Sequence, residues 1–164
     1  MKNALILMTL LACVVPSMVA AQGADEAAKV LQAFSAPIKT DGGQFTVVVL
    51  NDRTIESLFG TSPAKAAIRV RARMATILFI QGVAGKEFEL KPEVTVVQKG
   101  ETLTGAPSNM KNFAAGKIAK GDRVQGMVEL PKKLDLYEPF KVMMGGQSAE
   151  FRLAADDVKD YGNK

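Results

Sequence analysis

Histidine and tryptophan are absent from all 164 residues, cysteine occurs once as Cys13, and tyrosine occurs only at Tyr137 and Tyr161. Each shortage removes a class of chemistry. Without imidazole there is no histidine-activated serine or cysteine nucleophile, no ordinary zinc or non-haem iron site, and no haem held by a proximal histidine. A single cysteine cannot close an intrachain disulfide, so stability has to come from apolar burial and backbone hydrogen bonding. Few flat rings argue against sites that stack sugars or single-stranded nucleic acid. Charge of neither sign runs in blocks: 21 basic and 17 acidic residues are interspersed, for a formal net charge of +4. An excess of that size aids solubility and gives weak affinity for anionic surfaces, and it does not indicate a nucleic-acid partner.

What is present begins with a secretory pattern. Lys2 supplies positive charge, residues 4–15 are uncharged and greasy, Pro16-Ser17 breaks the run, and Val19-Ala20-Ala21 offers small side chains for cleavage. This predicts a signal peptide over 1–21, a mature chain from Gln22, and a periplasmic or secreted location without stable membrane insertion. Leu10-Leu11-Ala12-Cys13 also fits a lipobox, so a lipoprotein anchored through Cys13 is the alternative.

The mature chain reads as a 22–36 helical segment, a 37–155 β-domain and a 156–164 polar tail. Ala27, Val30, Leu31 and Phe34 recur at helical spacing, and Pro37 ends the pattern. Period two then takes over. Strands are expected at 45–50, 68–74 running into 77–80, 87–90, 94–97, 102–104 and 123–130, with a long loop or short helix over 51–65 and a surface loop over 105–120 anchored by Phe113 and Ile118. The last hairpin is the most specific: turning at Gly145-Gly146 pairs Phe140 with Phe151 and Val142 with Ala149 on one face. About seven or eight short strands with regular turns predict an all-β, antiparallel sandwich with one short N-terminal helix.

Gly121-Asp122-Arg123-Val124-Gln125-Gly126-Met127-Val128-Glu129-Leu130-Pro131, followed by Leu136 and Pro139-Phe140-Lys141-Val142, carries a resemblance. Residues 121–153 resemble the C-terminal half of secreted immunoglobulin-like β-sandwich domains of bacterial envelope proteins. The resemblance implies an immunoglobulin-like fold and a binding or accessory role, and it carries over no site residues.

Arg69, Arg71 and Arg73 form the principal candidate site. On a strand, alternate residues repeat about every 6.8 Å, so three guanidinium groups would line roughly 14 Å of one face and could grip an anion. The competing expectation pairs them with carboxylates across strands, with Glu87, Glu89 and Glu93 near in sequence. Ser62-Pro63-Ala64-Lys65 matches S-x-x-K, but without the companion motifs of penicillin-recognising enzymes, and serine before proline equally starts a helix. Met143 and Met144 point to opposite faces of a strand and cannot share a metal ion without a bulge. Gly116 to Gly121 lacks a phosphate-loop lysine, and Asp156-Asp157 lacks calcium-loop spacing. No catalytic residue, metal or cofactor is expected. The function expected is an exported, non-enzymatic module recognising a protein or anionic envelope component. The alternatives are an anion or small-molecule binder using Arg69, Arg71 and Arg73, and a carboxylate-based hydrolase.

Overall fold

The computed structural model describes residues 15–108 and 112–161, with side chains from Ala24 onward. The chain runs α1 (Val15–Ala33), β1 (Ser35–Thr40), β2 (Gly43–Val49), α2 (Asp52–Phe59), α3 (Lys65–Met74), β3 (Ile77–Val83), β4 (Phe88–Leu90), β5 (Val94–Gln98), β6 (Glu101–Pro107), β7 (Gly116–Ile118), β8 (Arg123–Glu129), β9 (Phe140–Met144), β10 (Gln147–Phe151) and α4 (Ala155–Tyr161). The protein is mostly β and antiparallel, as its period-two patterning predicts. Cys13 lies outside the described residues, and α1 continues through the expected cleavage point after Ala21.

The architecture departs from two separate sheets in immunoglobulin order. Eight strands form one sheet ordered β1-β2-β3-β8-β6-β5-β9-β10, while β4 and β7 make a separate pair. The sheet bends at β6, whose first residues pair with β5 while Ala106 and Pro107 pair with β8. The bend brings edge strand β1 beside edge strand β10, so the sheet is nearly closed into a barrel. Side chains fill the interior: Phe45, Val47, Val49, Leu78, Ile80, Val96, Val124, Val128, Phe140 and Phe151 belong to one continuous apolar cluster. Glycines make room for rings there. A Cβ on Gly126 would lie 2.1 Å from Phe113 Cγ, and one on Gly82 would lie 2.4 Å from Phe45.

A second apolar cluster lies on the outer face of β2 and β3. Val48, Ile77 and Phe79 point outward there and are covered by Ile55 of α2 and by Ile68 and Ala72 of α3. Phe59 sits edge-on to Phe79, with ring centroids 5.5 Å apart. This layer corrects the expectation of a single helix. Asn51 starts α2 through a capping box: its Oδ1 accepts from the Arg53 and Thr54 N–H groups, and the Asn51 N–H donates to Thr54 Oγ1. Residues 68–74, expected as a strand, are helical. Ile68 and Ala72, four apart, are the buried pair, whereas Val70 and Met74 on the same alternate set are 59% and 78% exposed. Alanine, arginine, lysine and methionine all favour helix.

Three further corrections are local. The segment after the first helix forms β1, with Pro37 tolerated because β1 is an edge strand and Ile38 buried. Residues 156–161 of the expected polar tail belong to α4, which buries Val158 and rests Tyr161 on the main core. The 105–120 loop contributes the end of β6 and all of β7, with Phe113 buried as expected. Among the described residues no helix is long and apolar enough to cross a membrane.

Candidate functional site

Because α3 is a helix, it cannot display Arg69, Arg71 and Arg73 as a ladder. Arg69 reaches back to α2, with Nη2 2.5 Å from Glu56 Oε2 and Nε 3.7 Å from Asp52 Oδ1. Arg73 follows it towards Asp52, at 3.7 Å. Arg71 turns the other way and donates from Nε to Glu129 of β8 at 2.8 Å. The arginines are therefore spread around the helix and matched to carboxylates. Those partners are Asp52, Glu56 and Glu129, not the Glu87, Glu89 and Glu93 that lie nearer in sequence. Lys65 completes the α2–α3 network, 3.0 Å from Glu56 Oε1. The hydrogen bond from Lys65, supported by Arg69, holds the Glu56 carboxyl below its ordinary value.

The same contact bears on the S-x-x-K match. The Lys65 ammonium is directed to Glu56, while Ser62 Oγ accepts from the Ala64 N–H at 3.4 Å and shapes the turn entering α3. Met143 is 38% exposed and Met144 is buried, as alternation along β9 requires. Asp156 and Asp157 occupy the first turn of α4. Among the described residues no group of three or more acidic or cysteine side chains is placed to hold a metal ion.

The site that the structure builds lies elsewhere. A cleft of about 670 Å³ opens where the β1–β2 turn, the approach to β4, β5 and the β9–β10 turn converge. Two glycine pairs make this convergence possible. Gly42 leaves its Cβ position to the Phe88 ring, which would lie 2.5 Å away, and the Gly85 N–H donates to the Gly42 carbonyl at 2.8 Å. Gly145 and Gly146 take φ of +58° and +76°, the left-handed pair that a two-residue hairpin turn demands. A Cβ on Gly145 would touch Thr40 at 3.8 Å, so the two turns sit against each other. Thr40 Oγ1 accepts from the Gly42 N–H and fixes its own turn.

Phe88, Leu90, Met143 and Met144 give the cleft an apolar component. Asp41, Glu87, Glu89 and Glu93, with Lys86 and Lys91, give it an exposed charged one. Its volume falls in the roughly 300–1,000 Å³ range of ligand sites, and the mixture suits a ligand having both an apolar part and polar or charged groups. Met143 and Met144 stand out in the sequence as adjacent thioethers, and Glu87, Glu89 and Glu93 as neighbours of the arginines, with nothing that joins them in one site. The two glycine pairs marked the turns, but not their meeting.

The fold and cleft define a mostly antiparallel, nearly closed β-domain with a helical layer on one outer face. A crystal structure of a novel protein of unknown function from Burkholderia pseudomallei K96243 shares this fold: the alignment covers 96% of this chain and 97% of that one, with a TM-score of 0.53 and 11% sequence identity. No protein-family model and no curated protein matches the chain.

Proposed function

We propose that the protein is an exported, non-enzymatic recognition module that binds a protein or envelope component through the cleft between the β9–β10 turn and β4. The observation that carries this reading is the cleft itself, a concavity of about 670 Å³ with an apolar surface beside exposed charges of both signs. Export rests on the tripartite pattern of residues 1–21, with Gln22 as the mature N-terminus. The resemblance of residues 121–153 to immunoglobulin-like envelope modules supports an accessory role. Its elements, β8 and the β9–β10 hairpin, are separated in the sheet by β6 and β5. The anion-binding alternative loses support because the three arginines already face three carboxylates on two other elements. The hydrolase alternative gains little from the cleft, since Asp41, Glu87, Glu89 and Glu93 are all exposed and a carboxyl serving as general acid near neutrality is normally desolvated.

The test compares three immobilised proteins against envelope extracts: wild type, Met143→Trp to fill the cleft, and the triple arginine-to-glutamine variant at 69, 71 and 73. The expected result is a species retained by wild type and the arginine variant but lost by the folded Met143→Trp protein. Equal retention by Met143→Trp would overturn the cleft as the binding surface. Loss only in the folded arginine variant would restore the anion-binding reading.

A further inference from the structure

Helix α3 is apolar on two opposite sides. Ile68 and Ala72 face inward onto the sheet, while Ala66, Ala67, Val70 and Met74 lie on the outer side and are all exposed. Arg69 and Arg73 border that outer stripe on one flank and Arg71 borders it on the other, each beside a carboxylate. An amphipathic surface helix ordinarily turns one apolar stripe inward and keeps its outer face polar. The stripe here is centred on Val70 and Met74, two of the most exposed large apolar side chains described.

We infer that this face docks on the same face of a second copy of the chain, through an antiparallel helix pair about a two-fold axis at Val70. The spacing is self-complementary. Ala66, Val70 and Met74 are each four residues apart, spanning about 12 Å along the helix. With the axis at Val70, each long, flexible Met74 lies over the other copy's small Ala66, and the two Val70 side chains meet. Such i±4 ridges interdigitate in the commonest helix-packing class. The charges are self-complementary as well. Arg73, 65% exposed, stands by the C-terminal half of the stripe, and Glu56, 53% exposed, stands by the N-terminal half, where it binds Lys65 and Arg69. An antiparallel pair brings each Arg73, already 3.7 Å from its own Asp52, beside the other copy's Glu56, so the α2–α3 ion-pair network of each copy would extend across the axis, as an isologous interface allows. Lys65, Arg69, Arg71 and Arg73 and their partners Asp52, Glu56 and Glu129 place both signs of charge around the stripe, which a second copy matches with both signs and a uniformly anionic partner does not. A single ten-residue helix per copy covers less than the roughly 800 Å² per partner of a standard interface, so the association is reversible and concentration-dependent.

Full-length protein carrying Cys13→Ser offers a thiol-free background. In it, Val70→Cys should form an inter-copy disulfide under mild oxidation at least about tenfold faster than Val83→Cys, a similarly exposed position at the opposite end of β3 from the Ile77 that α3 covers, because the axis holds two copies of residue 70 together. In sedimentation equilibrium the wild-type mass should rise towards that of a dimer with concentration. Val70→Glu should remain monomeric, with the melting temperature that wild type shows at concentrations where it too is monomeric. A wild type that stays monomeric, a dimer that survives Val70→Glu, or cross-linking no faster at 70 than at 83 would each overturn the inference. None of these results depends on the cleft.

Discussion

Truncating either phenylalanine of the last hairpin should be the most damaging single change available in the β9–β10 pair. Phe140 and Phe151 are directly paired across the strands, each is 2% exposed, and their rings stack with centroids 4.8 Å apart and planes 7° from parallel. Removing a buried ring forfeits its transfer free energy and leaves a cavity, together about 3–5 kcal/mol. Because β10 has a hydrogen-bonded neighbour only on its β9 side, some inward relaxation is available, and ~4 kcal/mol is the working value. With a urea m-value of about 2 kcal/mol/M, Phe151→Ala should lower the denaturation midpoint by about 2 M at unchanged m. The melting temperature should fall on the order of 10 °C. The ring pair adds about 0.5–1.5 kcal/mol beyond area, so the double alanine variant should cost less than the sum of the singles by about that amount. Costs below ~1 kcal/mol at both positions would mean that the hairpin does not close the barrel core, and the cleft built on its turn would lose its support.

Two further stability predictions test how the core and the helical layer are set. Gly126→Ala should cost at least about 1–3 kcal/mol, because its Cβ would lie 2.1 Å from Cγ and 2.4 Å from Cβ of the buried Phe113, yet the same change should cost much less in a Phe113→Gly background, which removes both atoms. Equal costs in the two backgrounds, read from urea midpoints, would refute that contact. Asn51→Ala should cost about 1–2 kcal/mol by orphaning the Arg53 and Thr54 N–H groups, and Asn51→Ser should recover most of it; alanine and serine variants of equal stability would deny the cap.

The parts of the fold legible in the sequence are those decided between neighbours in the chain. The β9–β10 register follows from a turn type and two alternating patterns, and the pairing of Phe140 with Phe151 agrees with it. Strand β8 shows its inward Val124, Gly126 and Val128 for the same reason. Residues 68–74 defeat that method, because Ile68, Val70, Ala72 and Met74 satisfy period two while Ile68 and Ala72 also satisfy helical spacing. What decides between the two patterns is the surface the segment covers, and that surface did leave a trace. Ile77-Leu78-Phe79-Ile80 is apolar without alternation, and Met127 interrupts the polar face of β8. An antiparallel strand apolar on both faces needs cover on both, and Ile77, Phe79 and Met127 are the side chains that meet the helical layer. Taken together, those two irregularities call for a helix near β3, which favours the helical choice for 68–74 and disperses the arginines.

The cleft left no comparable trace. Thr40 and Gly145 are over a hundred positions apart in the numbering, and they meet only because the sheet bends at β6 far enough to set β1 beside β10. Nothing in either turn specifies that closure. It follows from the strand order, and the strand order follows from burying the whole interior cluster at once. A binding surface made in this way draws its residues from turns whose local sequences need only form turns, which is why Glu87, Glu89 and Glu93 read as partners for nearby arginines until the closed sheet places them around a shared opening.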